Sequence, residues 1–337
     1  TWLAAQVTPL GNYRGAEAAR PDGTFSDTDD IGCYYKSIYT LRAAGQSEAA
    51  GRCMTYLMKR FKSPAGDYFN TPTVRSSGSY GPVFCQLYQN AWLMRGAAAL
   101  GWFAEAKSIL AFMNTQRDPE FGGYLTHVDS KTGVMDSNSI GVGAYCCILG
   151  GEAAKARQSV DLLLKMLGAQ KDAGILWSRC RKDGTPITDL SDVPEKNHHY
   201  VRISARDGKQ AYWIWAWPQL SMIAMYELTG EKKYLDGAIR IFDFFAGAHP
   251  NAFGFTTAGK DAWAAAKLHR ITRDARYKEK SLLQMQYILD HQHADGYMLG
   301  EGAKDESGQP KRTTFDYTAD FSSWLIDCAA EFAAAGL

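Results

Sequence analysis

The densest group of acids in the chain is Asp27-Thr28-Asp29-Asp30, at the expected start of a helix. Carboxylates this close repel one another, and the repulsion eases when at least one keeps its proton. A carboxylic acid held neutral in an apolar cavity is a general acid that could protonate an alkene, an epoxide or a leaving hydroxyl. Asp136, Asp261 and Asp316 stand at other expected helix starts, where the plainer reading for each alone is a cap on free backbone N–H groups.

A second group lies in the irregular stretch 178–210, where Asn197-His198-His199-Tyr200 is followed by Arg202. An amide and a guanidinium could neutralise a uronate carboxylate while His199 or Tyr200 takes the adjacent proton; the alternative is a loop with exposed histidines. Adjacent histidines point apart on regular backbone and no third ligand has suitable spacing, so no metal site is expected. A third feature is aromatic: Tyr212-Trp213-Ile214-Trp215-Ala216-Trp217, with Trp92 and Trp263 at comparable positions elsewhere. Such faces stabilise cations, stack on sugar rings, or pack helices together.

These residues need a frame, and repetition supplies it. A glutamine or its stand-in, a few polar residues, a glycine and an aromatic recur at Gln6…Tyr13, Gln116…Tyr124, Gln170…Trp177 and Gln292…Tyr297, with looser copies ending at Tyr68 and Phe255. Each copy lies between two helical stretches, which gives six helix–loop–helix units. Apolar periodicity predicts helices over 34–44, 47–61, 90–99, 103–114, 140–149, 153–167, 211–229, 233–248, 261–270, 277–291 and 319–334. Almost nothing alternates with period two. The expectation is an all-α (α/α)6 toroid, one domain over 1–337, with inner and outer helices around a hollow middle. The inner helices open with Asp29-Asp30, Tyr88-Gln89-Asn90, Asp136-Ser137, Gln210-Ala211-Tyr212, Lys260-Asp261 and Asp316-Tyr317, which would meet at one rim. The long stretch 178–210 is a candidate lid.

The 337 residues are 46% hydrophobic, ample for a large core, and carry a net charge of +1, which offers no electrostatic case for nucleic acid or an anionic membrane. No apolar run reaches the ~20 residues of a membrane span. Seven cysteines, with Cys146 and Cys147 adjacent and no CxxC pair, read as reduced thiols in a cytoplasmic protein. The chain opens inside a repeat, so a leader, if one existed, is expected to lie outside it. No Gly-rich phosphate loop or ligand cluster implies a cofactor.

The repeated glycine–aromatic phrases and the acidic cluster together resemble the toroidal domain of the terpenoid cyclase and protein prenyltransferase superfamily. That resemblance implies Asp29 as proton donor, supported by Asp27 and Asp30. Asp136-Ser137-Asn138-Ser139 is similar to a segment of the linalool dehydratase-isomerase type, with Ser137 where that family has cysteine; Cys33-Tyr34-Tyr35 could supply the thiol or phenol. The turns Tyr226–Leu235 and Thr272–Tyr277 resemble those of six-hairpin sugar enzymes: uronyl hydrolases, polysaccharide lyases and epimerases.

The first reading is a cofactor-independent lyase, isomerase or cyclase acting on a hydrophobic small molecule. Its acid–base groups would be Asp29, Asp27, Asp30, Tyr34, Tyr35, Asp136 and His199. Its cavity wall would be Cys33, Tyr88, Trp92, His198, Tyr212, Trp215, Trp263 and Asp316. A carbohydrate-active enzyme is the alternative, and a toroidal binding protein without chemistry is the third.

Overall fold

The computed structural model describes residues 2–13, 18–19, 25–26, 30–69, 86–126, 132–208, 210–253, 259–299 and 312–337. Asp27 and Asp29, the proposed acid and its neighbour, therefore lie outside the described residues, as does Phe255.

Thirteen α-helices are described. In order they are α1 (Trp2–Ala5), α2 (Ser37–Ala43), α3 (Ser47–Arg60), α4 (Gln86–Ala99), α5 (Phe103–Thr115), α6 (Ser137–Leu149) and α7 (Ala153–Gly168). There follow α8 (His198–Val201), α9 (Ala216–Thr229), α10 (Lys232–Ala246), α11 (Gly259–Thr272), α12 (Ala275–Asp290) and α13 (Arg312–Ala334). Helices α2, α4, α6, α9, α11 and α13 pack each on the next, and α13 returns to α2, so six inner helices close a ring. Helices α3, α5, α7, α10 and α12 each lie against the inner helix before them, while the short α1 packs on α13 and α2. This is the expected (α/α)6 toroid.

The two rings differ for a physical reason. On α10, Tyr234, Ala238, Ile241, Phe242 and Phe245 share one buried face, and Lys232, Lys233 and Asp236 take the other. Helix α6 is different: from Ser137 to Ala144 every residue is buried, as befits an element enclosed on all sides. Its Gly141 lets α9 come close, since a Cβ there would lie 2.5 Å from the Pro218 nitrogen.

The recurring glycine–aromatic phrase is a turn device. Gly11, Gly66, Gly122 and Gly296 have left-handed backbone with φ of 95°, 95°, 81° and 93°, and Tyr13, Tyr68 and Tyr124 are buried behind them. The copy at Gln170 departs from the pattern. Its segment Ile175–Trp177 pairs antiparallel with Arg202–Ser204, while Arg179–Cys180 pairs with Met135–Asp136. The stretch 178–210 is thus laced to the ring by two small ribbons, an arrangement its charge and glycine content had concealed. Arg179 clamps Asp192 with two hydrogen bonds, and the His198 imidazole meets the Val193 carbonyl at 2.9 Å.

Among the described residues, one level of the ring's middle is packed with aromatic side chains. Trp92, Trp217, Trp263 and Trp324 meet around the axis with centroid separations of 5.2 to 6.2 Å, and Tyr145 packs against two of them. These indoles fill the central layer. Beyond them the Arg95 guanidinium sits 3.5 Å from the Tyr39 ring and pairs with Asp327 at 2.7 Å. At the far mouth Lys267 and Arg270 interlock with Glu227 and Glu331.

Candidate active site at the rim

Residues three or four apart on a helix stack along one face, so each inner helix can be followed inward from its start. Tyr35 leads to Tyr39, Tyr88 to Trp92, Lys260 to Trp263, and Asp316 to Asp320 and Trp324. The central layer is aromatic; the layer above it, at the helix starts, carries charge.

Lys36, just before α2, has its ammonium 3.0 Å from Asp316 Oδ1 and 3.0 Å from Asp320 Oδ2, both on α13. Lys260, in the first turn of α11, lies 3.9 Å from the same Asp320 oxygen. It also sits over the rings of Tyr88, Trp213 and Trp324 at 5.8, 5.4 and 5.3 Å. The other Asp320 oxygen accepts a hydrogen bond from the Trp324 indole at 2.9 Å. Lys36, Lys260 and Asp320 are almost fully buried, whereas Asp316, Tyr317 and Trp213 are half-buried. Burial alone would raise the Asp320 carboxyl, but Lys260 and Lys36 outweigh it and hold it below the usual carboxylate range. Burial would likewise lower Lys36; the Asp316 and Asp320 carboxylates reverse that and hold it well above the ordinary lysine range.

The neighbouring wall comes from the inserted stretch. His199 and Tyr200 lie ring to ring at 3.9 Å, and Tyr200 meets Trp213 edge to face at 6.2 Å. Tyr35 and Tyr88 meet at 5.9 Å, with the Lys36 ammonium 5.1 Å from the Tyr35 ring. Of the residues singled out from sequence, Tyr35, Tyr88, Asp316 and His199 therefore gather here.

Others belong to the framework. Tyr34 is stacked on Tyr13 at 5.0 Å and packs near Tyr56 and Phe61 of the α3 hairpin, and Cys33 is buried beside it. Asp30 accepts from the Gly32 N–H, an ordinary cap. Asp136 caps α6 through the Ser139 N–H and hydroxyl at 2.8 and 2.7 Å; burial pushes its carboxyl up to about 6. It is wholly enclosed. Trp92 and Trp263 belong to the central plug, and Trp215 is fully buried at the start of α9. The Tyr212 hydroxyl donates to the Ser204 and Asp207 carbonyls, tying down the insert. His198 does the same through Val193.

Lys36, Asp320 and Trp324 escaped the sequence reading, and Lys260 stood there at an inner-helix start without a role. The available signal was a charged residue on an otherwise apolar helix: Lys260 precedes Ala262 and Ala264–Ala266, and Asp316 and Asp320 are four apart. Among the described residues no cluster of three or more His, Cys, Asp or Glu is arranged to hold a metal ion, and no helix is long and apolar enough to cross a membrane.

One inner-helix acid stands apart. Asp261 is 1% exposed, and among the described residues neither carboxyl oxygen has a hydrogen-bonding partner. Burial raises its carboxyl well above the ordinary range, against a smaller opposing pull from Lys260. A raised acid stabilises the fold below its unfolded value, about 3.9, and that contribution fades as pH climbs through the folded value. Asp261→Leu should add about 1–3 kcal/mol at neutral pH by removing an unsatisfied buried group. Unfolding midpoints at acid and neutral pH check this. A variant no more stable than wild type at neutral pH would show that the carboxyl is satisfied.

The likeness to known proteins lies in the fold. No family model matches the sequence, and no curated protein matches it. Among solved structures, a D-mannose isomerase superposes with a TM-score of 0.65 at 14% identity over 98% of this chain and 93% of its own. A family GH76 α-mannanase from Bacteroides thetaiotaomicron gives 0.67 at 13% identity, over 98% and 96%. A type II terpene cyclase from Scytonema gives 0.55 at 13%, over 97% and 94%. The chain thus has the (α/α)6 toroid architecture of these enzymes, a class that spans sugar isomerases, mannanases and a terpene cyclase.

Proposed function

We propose that the chain is a carbohydrate-active enzyme of the isomerase type, binding a sugar at the rim and moving a proton next to its carbonyl. The observation that carries this is the Lys36–Asp316–Asp320–Lys260 cluster framed by Tyr88, Trp213 and Tyr200. Aromatic faces suit the C–H surface of a sugar ring, and paired donors and acceptors suit its hydroxyls. The terpenoid reading fits less well. A hydrocarbon at this rim would cover four charged side chains, Lys36, Lys260, Asp316 and Asp320, without offering any of them a hydrogen bond.

Asp316, the more exposed carboxylate, is the proposed base that takes the proton from the carbon beside the carbonyl. The Lys36 and Lys260 ammoniums would stabilise the oxyanion of the resulting enediolate. Asp316 then returns the proton to the neighbouring carbon on the same face, while the hydroxyl proton on the first carbon's oxygen passes to the oxyanion, so that the carbonyl moves by one carbon. Glycoside hydrolysis asks for a carboxylic acid of raised pKa beside the leaving oxygen. Asp320 is shifted the opposite way and Asp136 is a sealed cap, whereas burial shifts Asp261 the required way, so hydrolysis with Asp261 as the acid is the second reading.

The test is incubation with D-mannose, D-glucose and α-1,6-linked mannose oligosaccharides, followed by chromatography. Interconversion of free sugars is expected, and Asp316→Asn should lower kcat at least ~100-fold while the variant stays folded at the assay temperature, with a lower midpoint because Lys36 loses one of its two carboxylates. Oligosaccharide cleavage without interconversion would replace the isomerase reading with hydrolysis, and no turnover of any sugar would end both.

A further inference from the structure

Lys260 and Asp320 stand 3.9 Å apart, farther than the other ion pairs described at the rim. An N–H···O hydrogen bond closes at about 2.7–3.2 Å, so these two groups are paired in charge but not hydrogen-bonded. Lys36, by contrast, is at 3.0 Å from both its carboxylates. Among the described residues Lys260 makes no other ion pair within 4 Å; the Asp261 carboxyl feels its charge, and the faces of Tyr88, Trp213 and Trp324 around it offer no lone pair to an N–H. An ammonium carries three donors, and a carboxylate oxygen has capacity beyond one ammonium. A single hydroxyl seated against both would accept from Lys260 and donate to Asp320.

We infer that the Lys260–Asp320 pair is a hydroxyl-recognition subsite for an uncharged sugar, with Trp213 and Tyr88 as the ring-stacking wall; this rests on the proposed function of the same rim. Charge supports the uncharged class. Two ammoniums face two carboxylates, so among the described residues no cation here is left over for an acidic sugar. The groups that the sequence offered for a uronate do not assemble into a carboxylate pocket. The His199 imidazole is held below its ordinary range by burial, which favours the neutral ring, and His198 is spent on the Val193 carbonyl. Arg202 lies 3.9 Å from Asp207 on the inserted ribbon. An added carboxylate would meet Asp316 and Asp320 across the same lysines, a like-charge approach that costs affinity.

Calorimetric titration of the full chain with D-mannose, methyl α-D-mannoside and D-mannuronate tests this. Mannose and its methyl glycoside should bind, and mannuronate should bind at least ten-fold more weakly. Lys260→Met should weaken both neutral ligands ten-fold or more; Lys260→Gln, which keeps an N–H donor, should fall between and covers failure of the methionine variant to fold. Mannuronate binding as tightly as mannose, or neutral sugars binding both variants as well as wild type, overturns the subsite and leaves the carbohydrate reading standing. If no sugar binds wild type, the carbohydrate reading fails and the subsite falls with it.

Discussion

Replacing Lys36 by methionine should cost roughly 3–5 kcal/mol of folding stability, because it leaves two carboxylates without their shared counter-ion in the rim. Asp316 and Asp320 each lie 3.0 Å from that ammonium, and Asp320 is 3% exposed. The pH dependence separates this from a simple loss of packing. In wild type the Asp320 carboxyl is held down, so its contribution is present above the unfolded value of about 3.9 and is lost as pH falls through the folded value. Lys36 is held up, so its contribution is full below about 10.4 and is lost as pH rises through the folded value. The contribution of this pair to the wild-type profile is therefore a plateau with a falling limb at each end. Without Lys36 the two acids repel with only Lys260 to offset them, and acidification should stabilise the variant instead. Denaturant unfolding from about pH 2 to about pH 11 reads the acid limb and the start of the alkaline one. Adding Asp320→Asn to Lys36→Met should return part of the loss. A methionine variant within 1 kcal/mol of wild type at neutral pH would mean that the carboxylates reach water or another cation.

The toroid was legible because its information is local. Helices α10 and α12 announce themselves by periodicity, and the glycines with positive φ behind the buried tyrosines mark the turns between rings. What the ring encloses was less legible, because inner helices such as α6 are apolar on every side and their periodicity does not say which face meets the axis. Four tryptophans from α4, α9, α11 and α13 were each visible, but their meeting was not.

The rim was hidden for a related reason. Lys36 and Asp316 come from opposite ends of the chain, and a lysine beside two tyrosines looks like a surface residue until α13 closes on α2. Asp316 and Lys260 were placed correctly at inner-helix starts, but only the acid was given a role. Tyr34 and Tyr35 show the opposite limit. One residue apart, they face different layers: one stacks on Tyr13 in the wall and the other meets Tyr88 at the rim. A one-residue step on a helix is about 100°, more than a sequence without a known axis can resolve.

Trp324→Ala should be nearly as damaging as the loss of Lys36, at about 3–5 kcal/mol, for it removes the hub of the central plug. Its indole touches Trp92, Trp217 and Trp263, at centroid distances of 5.2, 6.2 and 5.8 Å, and is 1% exposed. The neighbouring helix is shaped to receive it: a Cβ on Gly259 would collide with the ring. None of the surrounding indoles can swing into the space without losing its own contacts, so the cavity should persist. Trp324→Phe separates volume from hydrogen bonding. Most of the apolar contact survives, while the N–H that meets Asp320 at 2.9 Å is gone, so a loss of about 1–2 kcal/mol is expected. That donor is one of the groups holding the Asp320 carboxyl down, so the phenylalanine variant should also move the acid limb of the stability profile to higher pH. The alanine variant should show the same displacement on top of its larger loss. If Trp324→Ala unfolds within 1 kcal/mol of wild type, the centre of the ring is not the tight aromatic plug described. If Trp324→Phe leaves the acid limb in place, the indole packs beside Asp320 without orienting it, and the two lysines alone hold that carboxylate.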